Sequence, residues 1–232
     1  MLEKIRERLL FEGADAVGAA YLKQFLPEQL QELAYGISVE IRLSCAVVEQ
    51  IFSQKSPSHT YFHHYRTLNA QLDRCTFLAV SMLQKKGYRA IAVPASQTVS
   101  RESIAGLISH KLVAAEAGLG RIGRHALFIS EEFGPAVRLA SVLTNCPVCP
   151  PYDQRRQSGE CGSCAACVAA CPAGAISGKE YQIGMRREDF FDAECCSNYM
   201  KKSFQMIGRG AVCGICMATC QKIWNEKILK KT

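Results

Sequence analysis

Four cysteines in the second half of the chain have a spacing that is specific to one kind of cofactor. Cys161, Cys164, Cys167 and Cys171 form the run CxxCxxCxxxC, and Pro172 follows it directly. This run is the bacterial ferredoxin pattern for holding a 4Fe-4S cluster through cysteine thiolates. Structural zinc also takes CxxC pairs, but a zinc ion stops at four ligands and has no use for the third cysteine or the proline. The run therefore predicts an iron–sulfur site with redox chemistry.

A second cysteine motif completes the ligand set for two clusters. Where two clusters are bound, the fourth cysteine of such a run ligates the other cluster. The complementary motif CxxCxxxC lies downstream, and one more ligand comes from either Cys195 or Cys196. Cluster I is assigned Cys161, Cys164, Cys167 and Cys220, while cluster II is assigned Cys171, Cys213, Cys216 and one of the adjacent pair.

The composition restricts the class of protein and its compartment. The chain has 232 residues and 13 cysteines, an odd number, and no secretory h-region stands at its start. A chain of this length can bury a sizeable core without disulfide staples. No apolar run approaches the roughly 18 to 20 residues that span a bilayer. We therefore expect a cytoplasmic protein in a reducing compartment, with no membrane contact.

The formal net charge of +7 is partly a counterbalance to the cofactors. Two oxidised clusters with four thiolates each add about −2 apiece, which leaves roughly +3. Basic pairs such as Lys201 and Lys202 lie in the cysteine-rich half. They indicate solvated surface, because no aromatic residues are interleaved with them and no nucleic-acid-binding module is recognised. Nucleic-acid binding is therefore not expected, although an acidic partner or a tRNA could use these charges.

Helices and strands are predicted to alternate through the first 145 or so residues. Hydrophobic periodicity predicts a helix from Leu2 that Gly13 ends, a strand at Ala16 to Tyr21, a strand at Ile37 to Ile41 with one polar face, a helix from Tyr61 to Met82 and a strand at Ala90 to Val93. Ser103 is predicted to cap a helix that runs through Ala117 and is broken by the glycines after it. Leu127 to Ile129 and Val137 to Leu143 are predicted to form paired strands.

This alternation argues for an α/β sandwich in the first part of the chain. The segment that follows is rich in Pro, Arg, Gln and Ser, as linkers are. We therefore predict an α/β domain over residues 1–145, a linker over 146–160 and a cluster-organised domain over 161–232, an α+β arrangement overall. Cys45 and Cys75, within apolar helical patterns, are expected in the core.

A glycine-rich element joined to the cysteine motifs suggests a family. The stretch AAEAGLGRIGRHALFIS from Ala114 to Ser130, followed by CGSCAACVAACPAGAI from Cys161 to Ile176, resembles epoxyqueuosine reductase. The stretch is similar, at a greater distance, to the corrinoid-dependent reductive dehalogenases. The combination is far more specific than a lone glycine-rich turn.

The resemblance implies a nitroreductase-like α/β domain that holds a cobalamin, followed by a ferredoxin-like domain that feeds electrons to cobalt. In that family a CISYL segment supplies a cluster ligand, and the stretch from Cys196 to Met200 matches it, which implies Cys196 as the eighth ligand. Cys195 would then be a neighbouring free thiol.

The chain departs from the family in three places. We expect the long C-terminal helical-repeat extension associated with tRNA to be missing, since the sequence continues for about a dozen residues after Cys220. The positions that align with the catalytic aspartate fall on Ile104, or near Pro94 or Ala95, and none of these side chains can donate a proton. Gln221 stands where a proline is usual. The substrate is therefore not carried over from the family.

Five residues around the glycine-rich turn are candidates for contact with the corrinoid. Gly118, Gly120 and Gly123 would allow close backbone approach, and the alternative is a helix C-cap with a tight turn. Arg121 and Arg124 flank them and could bind the nucleotide phosphate of the cofactor, or be exposed.

Three further side chains are candidates for chemistry. His110 is the remaining proton-donor candidate, since its reference pKa suits neutral pH, and the alternative is an ordinary surface or core histidine. Cys146 and Cys149 form a CxxC pair outside the eight ligands. They could bind a further metal, form a redox disulfide or remain two free thiols.

Together these patterns predict an iron–sulfur oxidoreductase that passes low-potential electrons through two 4Fe-4S clusters to cobalamin. It would act on a small-molecule substrate or on another protein's corrinoid, with a ferredoxin or flavodoxin as electron donor. One alternative is an electron carrier with two clusters and no cobalamin, and another is a tRNA-queuosine-type reductase.

Overall fold

The structure, a computed structural model, describes residues 1–100, 104–149 and 161–229, and it has the expected α+β character. Two compact units make up the chain, and both are discontinuous. Unit 1 comprises Met1–Arg42, Thr67–Arg121 and Arg138–Gln157, and unit 2 comprises Leu43–Arg66, Ile122–Val137 and Ser158–Thr232. The predicted boundaries of the α/β domain, the linker and the cluster domain stay a prediction.

The helices and strands follow a mixed order along the chain. The α-helices are α1 (Leu2–Phe11), α2 (Cys45–Gln54), α3 (His59–Gln84), α4 (His110–Glu116), α5 (Ala166–Ala170), α6 (Ala193–Ser203) and α7 (Ile215–Leu229). The strands are β1 (Ala16–Tyr21), β2 (Tyr35–Arg42), β3 (Ala90–Val93), β4 (Gly120–Ile122), β5 (Phe128–Ser130) and β6 (Val137–Thr144). Short 3-10 helices lie at Lys23–Phe25, Glu28–Leu33, Arg187–Asp189 and Gly208–Gly210. The predictions of α1, β1, β2, α3 and β3 are confirmed.

A four-stranded sheet in the order β1-β2-β6-β3 organises unit 1. Strand β1 pairs antiparallel with β2, and β3 pairs antiparallel with β6. Ile37, Val39 and Ile41 lie on one face of β2 and pack in a core with Ile5 of α1 and Leu72 of α3. The alternation seen in the sequence therefore marks the face that receives α1 and α3, because successive strand residues point to opposite faces.

The second face of β2 carries the predicted polar residues, and these are buried. Ser38 and Glu40 have no exposed surface. Helix α4 packs against β1 and β2, and a Cβ at Gly36 would lie 3.0 Å from the Val113 side chain of that helix. Both faces of β2 are covered by helices, so its polar residues are buried. Alternation in the sequence showed which side chains share a face, and the structure adds that helices cover both faces.

Helix α4 starts later than predicted. It begins at His110, and the Ser109 hydroxyl accepts a hydrogen bond from the Leu112 N–H as its N-cap. Ile104 has a φ of +47°, which a right-handed helix does not allow for a non-glycine residue. The proposed cap Ser103 lies outside the described residues. The apolar residues from Ile104 to Ile108 have helical spacing, but a run this short does not by itself identify a helix, so the predicted start of α4 was wrong.

The two strands that were predicted to pair belong to different sheets. Strand β6 lies between β2 and β3, whereas β5 pairs with the short strand β4. In the described residues, the connection between β5 and β6 contains one isolated bridge, between Ser130 and Gly134, in place of the predicted hairpin. Strand β6 is buried along most of its length, and a central position in the larger sheet satisfies its backbone groups on both edges.

Unit 2 has few strands and is built from short helices and loops. Helix α7 packs against α2 and against α5. A small apolar cluster joins Ile122, Ala126 and Phe190, with Tyr181 packed against it. Further buried apolar residues, among them Ile51, Ile215 and Met217, lie in this unit, and the cysteine motifs would add to its organisation when metal is bound.

Candidate iron–sulfur site

The first cysteine motif is held in a turn and a one-turn helix. The Cys164 N–H donates to the Cys161 carbonyl at 3.1 Å, and Gly162 between them has a φ of +57°. Cys167 lies within α5, and Cys171 is the C-cap of that helix. Pro172 follows and cannot continue the helix, since it has no N–H to donate. The motif thus presents its sulfurs from a loop, a helix and a helix end.

The second motif leads into α7. Cys216 and Cys220 are four residues apart in α7 and therefore share one face of the helix, while Cys213 lies in the turn that precedes it. Gly214 in this turn has a φ of +80°, and a Cβ there would lie 3.1 Å from the Tyr61 hydroxyl oxygen. Only glycine suits this position.

Electrostatic coupling divides the cysteines into two groups. Burial raises the pKa of the Cys167 thiol to about 11, with further contributions from Cys161 and Cys164. These three belong to the predicted cluster I. Burial also raises the pKa of the Cys216 thiol, with the charges of Cys213 and Cys171 next in size and smaller contributions from Cys196 and Cys167.

Cys196 belongs to the second group and Cys195 does not join it closely. Burial raises the pKa of the Cys196 thiol to about 11, and the next contributions come from Cys213 and Cys171. The Cys195 thiol instead donates a hydrogen bond to the Ala173 carbonyl at 3.0 Å. This arrangement favours Cys196 as the eighth ligand and leaves Cys195 as a hydrogen-bonded free thiol.

The raised pKa values have a direct consequence for metal loading. The buried thiols are neutral without iron, and each must lose its proton to become a ligand. Iron binding therefore releases protons and becomes more favourable as the pH rises. Among residues 1–100, 104–149 and 161–229, no three His, Cys, Asp or Glu side chains are grouped so as to hold a single metal ion.

An arginine and a glutamate hold the loop that begins the first motif. Arg124 donates to the Gly178 carbonyl at 2.5 Å, to the Gly162 carbonyl at 2.7 Å and to the Glu180 carboxylate at 2.9 Å. The same carboxylate oxygen of Glu180 accepts the Cys161 N–H at 2.8 Å. The Arg124 side chain is only 14% exposed. The arginine therefore ties the Cys161 loop to the segment around Gly178, and its predicted contact with a cofactor phosphate stays a prediction.

Glu180 was missed from the sequence. It belongs to no motif, and its partners Cys161 and Arg124 are 19 and 56 residues away along the chain. The available signal was weak, a single acidic residue a few positions after the cysteine motif. Only the folded loop shows that it neutralises Arg124.

Two of the three predicted cofactor glycines have roles inside the protein. Gly118, with a φ of +74°, donates its N–H to the Ala115 carbonyl, and Leu119 donates to the Ala114 carbonyl. This pair of bonds is the Schellman motif that ends α4, so the C-cap alternative holds for Gly118. A Cβ at Gly123 would lie 2.6 Å from Ile129. Gly120 and Arg121 form most of β4, and a contact of these residues with a cofactor stays a prediction.

His110 lies at the first position of α4 with both ring nitrogens engaged. Nε2 lies 3.0 Å from the Pro94 carbonyl and donates to it, and Nδ1 lies 2.9 Å from the Ser141 hydroxyl. Burial lowers the pKa of His110, with the Pro94 hydrogen bond acting in the opposite direction. These contacts join α4 to β6 and to the end of β3. They favour a structural role, and proton donation by His110 stays a prediction.

The remaining cysteines divide between core and surface. Cys75 is fully buried as expected, but Cys45 is exposed at the start of α2, so the expectation of a core position was wrong for Cys45. Cys146 is buried beside Val148 in the core of unit 1, and Cys149 is partly exposed. The predicted linker thus begins with core residues, and its part from 150 to 160 lies outside the described residues.

Comparison with known proteins identifies the cysteine-rich segment. Residues 160–222 match the 4Fe-4S double cluster binding domain. The chain is 33% identical over 129 residues to a tetrachloroethene reductive dehalogenase of Desulfitobacterium hafniense, which covers 49% of this chain and 22% of that protein. A tetrachloroethene reductive dehalogenase of Dehalobacter restrictus is 35% identical over 125 residues, with the same coverage. The chain spans about a fifth of the length of these relatives.

Solved structures with the same fold cover nearly the whole chain. A reductive dehalogenase whose structure suggests a mechanism for B12-dependent dehalogenation has a TM-score of 0.70 at 19% identity, over 94% of this chain and 31% of that one. Epoxyqueuosine reductase from Streptococcus thermophilus has a TM-score of 0.55 at 19% identity, over 94% of this chain and 65% of that one. The resemblance to both groups is confirmed, and the chain contains a domain for two 4Fe-4S clusters. No helix within the described ranges has both the length and the apolar character that crossing a bilayer needs.

Proposed function

We propose that this chain is an iron–sulfur reductase that passes low-potential electrons through two 4Fe-4S clusters to a bound cobalamin. The reduced corrinoid would act on a small organic substrate or on the corrinoid of another protein. We place the protein in the cytoplasm, with a ferredoxin or flavodoxin as its electron donor.

One observation carries the proposal: the double-cluster domain occurs in a chain whose fold matches reductases along 94% of its length. The donor set of this structure fits two cubane clusters. The charges of Cys161 and Cys164 raise the pKa of Cys167, and those of Cys213, Cys171 and Cys196 raise the pKa of Cys216, in each case after burial. Thiolate-ligated clusters reach potentials low enough for such electron transfer, with values set by charge, hydrogen bonds to sulfur and exposure.

The residues of this chain hold and tune the clusters. Eight thiolates would bind the irons, and Arg124 with Glu180 would keep the loop of Cys161 in place against cluster I. Cys216 and Cys196 are partly buried, and desolvation at these positions would favour a low potential for cluster II. A bound cobalamin would supply the difficult bond chemistry through reduced cobalt.

The support for cobalamin comes from the fold, which is shared with a reductive dehalogenase whose structure suggests a mechanism for B12-dependent dehalogenation. The residues predicted to touch it do not form a demonstrated site, because Gly118, Gly123 and Arg124 have roles inside the protein. This observation favours a second candidate, an electron carrier with two clusters and no cobalamin. A tRNA-queuosine-type reductase is the third candidate, and it predicts that tRNA is retained on purification.

Anaerobic reconstitution separates the first two candidates. We expect about eight iron per chain and two one-electron reductions. Titration with hydroxocobalamin, followed by its visible absorbance, is expected to saturate at one corrinoid per chain. A chain unfolded in denaturant serves as the control for adventitious binding. Full iron loading without saturable corrinoid uptake would leave only the carrier, and fewer than about five iron would refute the two-cluster assignment.

A further inference from the structure

Unit 2 carries an exposed basic surface beside the ligands of cluster II. Four cations belong to it, namely Arg66 at the border of unit 2, Lys201 and Lys202 in α6 and Arg209 in the 3-10 helix that follows, and all four are exposed. We call this set the basic surface.

Packing contacts bring these four residues to one place. The Arg66 guanidinium lies over the Phe62 ring, 5.7 Å from its centroid. A Cβ at Gly208 would collide with the same ring, so the backbone beside Arg209 sits against Phe62. A Cβ at Gly210 would lie 2.6 Å from the Lys201 Cα, which places the other side of Arg209 against α6. The backbone on the two sides of Arg209 therefore contacts Phe62, which carries Arg66, and the segment of α6 that holds the lysine pair.

The surroundings of the basic surface contain little compensating charge. The sequence has no Asp or Glu from Cys195 to Asn225, a span that holds three of the four cations. Across the parts of the chain that the structure describes, none of the four forms an ion pair. Other basic residues of unit 2 do have acidic partners, such as Arg124 with Glu180 and Lys222 with Glu226. The basic surface is thus a concentrated positive region.

The chain connects this surface directly to cluster II. Cys196 precedes Lys201 by five residues in α6, which corresponds to about 7.5 Å along the helix axis and about 140° around it. Cys213 follows Arg209 by four residues. The surface is therefore framed by two of the cysteines assigned to the same cluster. Met206 lies in the connection between α6 and Arg209 and is 87% exposed, so an apolar contact is available among the charges.

We propose that the basic surface is where an acidic one-electron carrier docks and delivers electrons to cluster II. The proposal rests on the two-cluster function proposed above. The carrier loses one electron, the oxidised cluster gains it, and no bond or proton is exchanged. Positive charge here steers an acidic partner to the cluster, and an exposed methionine suits a surface that must bind and release quickly. The charge clustering near a redox ligand pair favours this partner over a nucleic acid.

The test is the rate at which a reduced acidic flavodoxin reduces the reconstituted protein, followed by stopped flow under anaerobic conditions. The variant carries Lys201→Glu and Lys202→Glu. Its control carries Lys85→Glu and Lys86→Glu, which changes the net charge equally. Those two lysines are also adjacent and exposed, just beyond the end of α3 and outside the basic surface. Dithionite reduction of every variant serves as a measure of cluster integrity.

We expect the second-order rate constant of the Lys201 and Lys202 variant to fall at least about tenfold at low ionic strength, with the control close to wild type. The wild-type rate should fall as salt is added, because at about 0.1 M salt charges farther apart than a Debye length of about 10 Å are largely screened. The variant, which has lost this attraction, should respond weakly. Equal rates for variant and control would overturn the docking site. Binding of tRNA by wild type but not by the variant, with equal flavodoxin rates, would overturn it too and assign the surface to nucleic acid. Failure of dithionite to reduce the wild-type protein would refute the proposed function instead.

Discussion

Replacing Arg124 with glutamine is expected to loosen cluster I selectively. The change removes the cation that pairs with Glu180 at 2.9 Å and the donors that reach the Gly162 and Gly178 carbonyls. Hydrogen bonds to charged groups contribute about 1.5 to 3 kcal/mol each, and breaking a fully buried ion pair costs about 3 to 5 kcal/mol. Because Glu180 is 34% exposed, water can solvate part of the charge left behind. We therefore expect a net loss of about 2 to 3 kcal/mol.

This loss of free energy predicts how much faster iron leaves cluster I in the Arg124→Gln variant. A loss of 2 to 3 kcal/mol shifts the equilibrium between closed and open loop by roughly 30- to 150-fold. A chelator reaches the irons of cluster I when the loop of Cys161 opens, so the rate of iron loss rises by the same factor. The assay follows the bleaching of visible absorbance with a chelator after anaerobic reconstitution. We expect about four of eight irons to leave quickly and the other four to leave at the wild-type rate.

Two further variants sharpen this test. Arg124→Lys keeps a charge beside Glu180 but cannot bridge two carbonyls as a planar guanidinium does, so its effect should be intermediate. Arg186→Gln removes a comparable arginine from an exposed pair with Asp189, where side-chain exposure is 79% and 36%, and should change little. The reasoning is refuted if Arg124→Gln loses iron as slowly as Arg186→Gln, or if both clusters are lost together.

Three other experiments test separate parts of the structure. Cys196→Ser should lower the iron content from about eight to about four per chain, whereas Cys195→Ser should retain about eight, and the opposite result would exchange their roles. Because the pKa of His110 is lowered in the folded state, this histidine takes up a proton at a higher pH in the unfolded chain than in the folded chain. The free energy of unfolding should therefore fall as the pH drops below about 6.5, by at most about 1.36 kcal/mol per pH unit. Melting temperatures of wild type and His110→Gln should therefore converge towards low pH, and parallel curves would contradict the assignment. Gly134→Ala should destabilise unit 2 by at least about 1 kcal/mol, because φ at this position is +73° and the new Cβ would lie 2.7 Å from the Trp224 side chain. Thermal unfolding followed by Trp224 fluorescence measures the change, and an unchanged melting curve would count against this contact.

The sequence by itself determined the cluster chemistry. Ligand identity and local spacing are properties of a few adjacent residues, and a thiolate binds iron wherever the backbone places it. The elements α1, β2 and α3 were predicted correctly for the same reason, because the hydrophobic periodicity of an element depends on its own residues and not on what packs against it.

Tertiary structure alone decided which residues work together. Arg124 was assigned to a cofactor from its neighbours in sequence, yet its partners lie 38 to 56 residues away, at Gly162, Gly178 and Glu180. For Cys196, which the sequence resemblance already implied as a ligand, the structure adds the influence of the Cys213 charge and the hydrogen bond of Cys195 to the Ala173 carbonyl. These outcomes follow from long-range packing, because contacts between distant segments are set by the free energy of the whole fold and leave no local pattern in the chain.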